Sequence, residues 1–130
     1  MAIKVSNTTV IDDSRIIFPV NSSEVATTTS ISVGALSINL NLGAVFTVNL
    51  DANITSISIA NTQASGKTSS FVLILVADGS ARTVVWPASF KWPSGTAPTI
   101  TDTAGKKDIF TFFTADGGTT WQAFITGQNI

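Results

Sequence analysis

Carboxylates are the only side chains in this sequence suited to acid–base chemistry near neutral pH, because histidine, cysteine and tyrosine are all absent. The missing imidazole removes the commonest general base and metal ligand, and a Ser-His-Asp triad cannot be assembled. Thiolate metal sites, cysteine nucleophiles and disulfides are excluded with the cysteines. Among the acids, Asp12 and Asp13 are adjacent, while Asp51, Asp78, Asp102 and Asp116 sit beside Gly, Asn, Ser or Thr. Aspartate favours such places because its carboxylate hydrogen-bonds the local backbone, so these residues read as turn-formers before anything else. A weak calcium site is the second reading and a pair of glycosidase carboxyls the third. No catalytic residue, metal ligand or cofactor is assigned.

Two short motifs carry less than they promise. Gly66-Lys67-Thr68 has the ending of a phosphate-binding loop, but the earlier glycine it requires would fall at Asn61. A strand-like run follows, whereas that loop must open a helix to offer its amides to phosphate. Asn7-Thr8-Thr9, Asn21-Ser22-Ser23 and Asn53-Ile54-Thr55 fit the glycosylation acceptor pattern, as expected by chance in a chain so rich in these residues. The rings of Trp86, Phe90, Trp92 and Trp121 are more informative. They would fill the end of a β structure where prolines turn the chain; the sharper readings are a sugar-stacking face or an interface anchor.

These residues need a scaffold, and the centre of it is Phe71-Val72-Leu73-Ile74-Leu75-Val76, closed by Asp78-Gly79. The run is too short to span a membrane, and its β-branched content favours a strand. An unbroken apolar strand is expected to be covered on both faces. Before it, Leu36, Ile38, Leu40 and Leu42, then Phe46, Val48 and Leu50, then Ile57 and Ile59, alternate with Ser, Thr and Asn. Period two over three segments predicts an antiparallel sheet with one wet face. After it, Arg82-Thr83-Val84-Val85-Trp86 is expected to return from a hairpin turn, and Ile100 to sit in a short strand. The last hairpin is the clearest: Phe110 and Phe112 on one face of 108–114, Ile109 and Phe113 on the other. Asp116-Gly117-Gly118 turns the chain, and Trp121, Ala123 and Ile125 return.

No segment of helical length carries the i, i+3, i+4 pattern. The expected fold is all-β, an antiparallel two-sheet sandwich of jelly-roll type over residues 31–130. Residues 1–30 are expected to form an extended N-terminal arm or peripheral strands, with 27–30 as linker. Its scattered apolar residues, Ile3, Val5, Val10, Ile16 and Phe18, need a surface on this subunit or a neighbour.

The chain has 130 residues, and only 12% are charged, about half the ~25% of a typical soluble domain. A net charge of −1 gives no field to hold a polyanion, so nucleic acid is not an expected partner. Nor is a membrane: no stretch approaches ~20 apolar residues, and Met1-Ala2-Ile3-Lys4-Val5 lacks the core of a secretory signal. Few charges and a positive mean hydropathy lead us to expect burial of some surface by other chains.

Trp86-Pro87-Ala88-Ser89-Phe90-Lys91-Trp92-Pro93-Ser94-Gly95-Thr96-Ala97-Pro98 resembles a segment of tailed-bacteriophage virion proteins. There it is followed by a D-x-F-x-F strand and a DGG-T-W hairpin, here Asp108-Ile109-Phe110-Thr111-Phe112 and Asp116-Gly117-Gly118-Thr119-Thr120-Trp121, with Gly127-Gln128 beyond. The opening, from Met1-Ala2-Ile3-Lys4 to Asp12-Asp13-Ser14-Arg15, is similar to the start of marine and cyanobacterial phage structural proteins. The resemblance implies a virion structural β-module without catalysis, made in the host cytoplasm and incorporated in the particle. It points to a head decoration (cement) protein, a trimer, with the major capsid protein or other virion proteins as partners. The alternative it leaves open is a fibre or tail-tip module that grips host glycans through Trp86, Phe90 or Trp92. The same surface would serve as an interface in the first case.

Overall fold

The computed structural model describes residues 24–130, together with the backbone of Ile3–Val5 (β1) and Thr8–Ile11 (β2). β1 and β2 pair antiparallel as a small two-stranded sheet. The remaining strands are β3 (Ala26–Thr29), β4 (Ala35–Asn39), β5 (Val45–Leu50), β6 (Ser56–Ala60), β7 (Ser69–Ala77), β8 (Phe90–Lys91), β9 (Lys107–Thr114) and β10 (Trp121–Gly127). There is no α-helix among the described residues, and the all-β expectation holds at that level.

The pairing corrects the expected strand order. A six-stranded sheet runs β3-β5-β7-β9-β10-β8, and a second sheet holds β4 and β6. β3 pairs with β5, β5 with β7 and β4 with β6, all in parallel. A jelly roll is antiparallel throughout, so its connectivity does not describe residues 26–77. The chain instead alternates between the two sheets, β3 to β4 to β5 to β6 to β7, and lays each strand beside the previous one of its sheet. This is a parallel coil of β-strands. Alternation of apolar and polar residues fixes which face is buried, but it is identical for parallel and antiparallel neighbours. The period was informative about burial and silent about direction.

Within the six-stranded sheet, antiparallel pairing begins only at β7. β9 lies against it from Ser69↔Thr114 to Val76↔Lys107, and β10 closes the hairpin on β9. The short β8 then adds in parallel to β10, with Trp121 N–H donating to the Ser89 carbonyl at 2.9 Å.

The core lies between the two sheets. Leu36 and Ile38 of β4 meet Phe46, Val48 and Leu50 of β5, Phe71, Leu73 and Leu75 of β7, Phe110 and Phe112 of β9, and Ala123 of β10. Each of the large side chains here contributes roughly 1.5–3 kcal/mol by leaving water. Phe71 stacks on Phe112 at 4.8 Å between ring centroids and meets Trp121 edge-on at 5.3 Å. Only one face of β7 is fully covered. Val72, Ile74 and Val76 on the other face are half-buried, which corrects the expectation of complete cover on both sides.

Four local expectations also change. Thr27-Thr28-Thr29 is strand rather than linker, since β-branched threonines suit an extended edge. Leu40–Leu42 turns as a 3-10 helix, because the Asn39 side chain accepts from Asn41 N–H at 3.0 Å and stops the strand. Residues 82–86 form no hairpin with β7; they contribute one parallel bridge, Val84 beside Ile54. Ile100 lies in a loop, packed against the core.

Candidate interaction surfaces and the fixed carboxylates

The described carboxylates that make specific contacts hold loops in place. Asp78 accepts from Ser80 N–H at 2.9 Å and from Arg82 Nε at 3.2 Å, an ion pair that closes the turn after β7. The Arg82 guanidinium, followed by the Ser80 amide, holds the Asp78 carboxyl below its ordinary range, and Arg82 is raised in return. Asp116 accepts from Thr120 N–H at 2.9 Å and Thr114 Oγ1 at 2.7 Å, and these two bonds lower its pKa in that order. Both behave as the turn-forming aspartates expected from their neighbours.

Asp108 is different, and its sequence neighbours do not reveal its role. It is 1% exposed at the start of β9. Its Oδ2 accepts from Thr101 N–H at 2.7 Å, and its Oδ1 from Thr101 Oγ1 at 2.7 Å and Asn129 N–H at 3.0 Å. One buried side chain thus ties a loop and the residues after β10 to the main sheet. Its four-residue context, Lys107-Asp108-Ile109-Phe110, looks like an ordinary strand entry. Only the partners from 101 and 129 reveal the role.

Of the other motifs, Gly66-Lys67-Thr68 is a turn leading into β7, with Gly66 N–H bonded to the Ala115 carbonyl at 3.0 Å. Asn53 uses its side-chain oxygen to accept from Thr83 N–H at 3.0 Å. Asn7 and Asn21 lie outside the described residues, as do Asp12, Asp13, Ile16 and Phe18. For Ile3, Val5 and Val10 only the strand backbone is described.

Trp86, Phe90 and Trp92 are brought together as the sequence implied, but around the end of the core. Trp86 lies 5.0 Å from Trp92 and 6.0 Å from Phe90, and all three reach Phe110 or Phe112. Phe90 is 5% exposed, so it is a packing residue. Trp92 also forms one wall of a groove of about 400 Å³, with Pro93, Thr96, Pro98, Phe124 and Ile125 around it. The walls are apolar with a few hydroxyls and carry no charge. This groove is the part of the aromatic corner that a ligand can reach.

Two further surfaces went unseen in the sequence. The first is the outer face of the six-stranded sheet. Register places Val45, Val72, Ile74, Ile109, Phe113 and Phe124 on it, and Phe113 and Phe124 stack in parallel at 6.4 Å, each about 40% exposed. The second is the open end of the coil. β3 pairs only with β5 and β4 only with β6, so each keeps one strand edge without a partner among the described residues. Beside that end, Ser58 donates to Ser37 across the parallel pair at 3.3 Å and Asn61 to Asn39 at 2.6 Å, a polar ladder on the wet face of the smaller sheet.

Comparison of the chain with protein-family models, with curated proteins and with solved structures gives no match. No group of His, Cys, Asp or Glu suited to a metal ion occurs among the described residues, and no helix there is long and apolar enough to cross a membrane.

Proposed function

We propose that the protein is a non-enzymatic structural subunit of a tailed-bacteriophage virion, a head decoration (cement) protein that bridges capsid subunits and stabilises the shell. The observation that carries this reading is the open end of the coil: two uncharged strand edges, β3 and β4, offer backbone donors and acceptors to a neighbouring chain. Edges of this kind bind by strand addition, with main-chain hydrogen bonds supplying affinity. The likeness of residues 86–98 and 108–121 to phage structural proteins supplies the class of particle. The specific contacts of Asp78, Asp108 and Asp116 support it too, since these groups are committed to holding loops. A decoration protein works by mass action, adding interface to the assembled shell and none to free subunits. A stable contact of this type buries on the order of 1,200–2,000 Å², so a trimer with an N-terminal arm would share the task among copies. Gold labelling or cryo-EM of the particle tests the proposal. Density on the shell is the expected result, and density at the tail rejects it.

A second reading rests on the Trp92 groove. Its uncharged apolar wall with hydroxyls nearby suits the apolar face of a neutral sugar, as in a fibre or tail-tip module that adheres to host glycans. A glycan array with the recombinant protein separates the readings. Saturable binding that is lost in Phe124→Ala, a change at an exposed ring on the groove, favours adhesion.

A further inference from the structure

Apart from the strand edges and the Trp92 groove, a cleft of about 300 Å³ opens between the 40–44 turn and the 61–70 loop, where β5 and β7 begin. Amides and hydroxyls dominate its lining: Asn41, Asn61 and Gln63, with Thr68, Ser69 and Ser70. Among the described residues, no charged side chain and no aromatic ring lines it; Glu24 meets Ala44 and Ser70 in a separate small notch. The two lips are held at a fixed spacing. Asn39 Oδ1 accepts from the Asn41 backbone N–H at 3.0 Å on one lip and from Asn61 Nδ2 at 2.6 Å on the other. Thr27 Oγ1 donates to the Leu42 carbonyl at 2.7 Å behind the first lip. The second is tied down by Gln63 N–H to Ser69 Oγ at 2.8 Å, Thr62 Oγ1 to the Gly117 carbonyl at 3.2 Å and Gly66 N–H to the Ala115 carbonyl at 3.0 Å. Asn61 itself sits at φ 65°, a left-handed conformation that asparagine tolerates better than most residues. With the loop held by its own bonds, little remains to be ordered on binding.

This lining has hydrogen-bonding capacity in hand. The side chains of Asn41, Gln63, Thr68 and Ser70 make no hydrogen bond among the described residues, and nor does Asn61 Oδ1. Ser69 Oγ, buried and already accepting, keeps its proton to donate. Amides and hydroxyls each offer both a donor and an acceptor. An ion entering here would lose water with no opposite charge to meet, and an apolar group would strand the amides. A peptide strand needs a free backbone edge, but of the strands that open onto the cleft β5 lies between β3 and β7, and β7 between β5 and β9. What fits is a neutral molecule dense in groups that donate and accept at once, which is the character of sugar hydroxyls. We propose that this cleft binds a neutral saccharide by its hydroxyl edge, with Asn41 contacting it from the first lip and Asn61 and Gln63 from the second. With no ring to stack on, the dissociation constant is on the order of 1 mM. The Ser37–Ser58 pair continues the polar surface along the smaller sheet, so a longer sugar chain has further hydroxyls to meet. The inference is independent of the capsid reading and of the Trp92 groove.

NMR titration of the isotope-labelled full chain tests this, with neutral hexasaccharides of glucose, mannose and galactose and the charged hexamer of galacturonic acid as probes. The expected result is saturable movement of the Asn41, Asn61 and Gln63 side-chain amide signals by at least one neutral sugar, and none by the charged one. Asn61→Gly keeps the left-handed backbone while removing the amide, and Gln63→Ala removes an amide without touching the backbone bond to Ser69. Each should weaken binding about threefold to tenfold, while Asp51→Ala, beyond the far end of β5, leaves it unchanged. Near-ultraviolet circular dichroism checks folding, and Gln63→Ala carries the test alone if Asn61→Gly disturbs it. No movement by any neutral sugar up to about 20 mM overturns the proposal. Movement confined to the Trp92 indole signal overturns it too, and supports adhesion through the other groove instead. An equal response to the charged hexamer, or to an uncharged glycine–serine hexapeptide, likewise contradicts it.

Discussion

Asp108 shows how much a single side chain can hold when three donors converge on it. Burial of a carboxylate is costly unless its oxygens are bonded, and here Thr101 and Asn129 supply the bonds. Asp108→Ala removes the acceptor and leaves the Thr101 and Asn129 amides without it. Chemical denaturation should show a loss of about 3 kcal/mol, whereas Asp51→Ala at an exposed position should change stability by less than about 0.5 kcal/mol. Equal small effects would mean that Asp108 is not a lock. Asp78 and Asp116 act differently, since both are on the surface. Their pKa values are lowered on folding, so their contribution is complete above the ordinary carboxylate value of about 3.9 and is lost as pH falls through the lowered values. Melting temperature should therefore be flat from neutral pH down to about 5 and fall below about 4. Asp78→Asn with Asp116→Asn should make that acid decline shallower, and salt should weaken the Asp78–Arg82 part more than the Asp116 part. At this scale the sequence was a fair guide to turns, because an Asx turn depends on near neighbours. It was blind to Asp108, whose partners come from residues 101 and 129.

Elements were legible in proportion to how local their causes are. The 108–125 hairpin could be read outright, since alternate phenylalanines and Asp116-Gly117-Gly118 determine both strands and turn. Strands β4 to β7 were visible as strands from their period. Their parallel order was not, because it is decided by which partner completes the core rather than by any residue in the strand. The β3 edge illustrates this: it reads as a polar linker and becomes a strand only because β5 offers it a ladder. Its attachment depends on Gly43. A Cβ there would run into the Val25 carbonyl, which itself accepts the Ala44 amide. Gly43→Ala should detach the start of β3 and lower stability by about 1–3 kcal/mol. Hydrogen exchange should locate the damage, with amides of Ala26–Thr29 exchanging faster and those of Phe71–Ala77 unchanged. Uniform acceleration across both strands would contradict a local role for this glycine.

At the scale of the whole molecule, the coil and the hairpin divide the work. The coil provides a hydroxyl-rich wall with an open end, and the hairpin seals the core with rings from Phe110, Phe112 and Trp121. The aromatic corner was recognised in the sequence as a cluster, but Trp92 was not recognised as the wall of a groove, since only packing decides which ring faces solvent. The proposed capsid role follows from surfaces that present edges and hydroxyls instead of reactive groups. All of it depends on residues 26–77 winding in one direction. Backbone amide contacts measured by NMR on the isotope-labelled chain test this most directly. The account predicts cross-strand contacts between β5 and β7 that advance together, Val45 with Val72 and Asn49 with Val76. Contacts that run in opposite senses, with Val45 near Val76 and Asn49 near Val72, would contradict it.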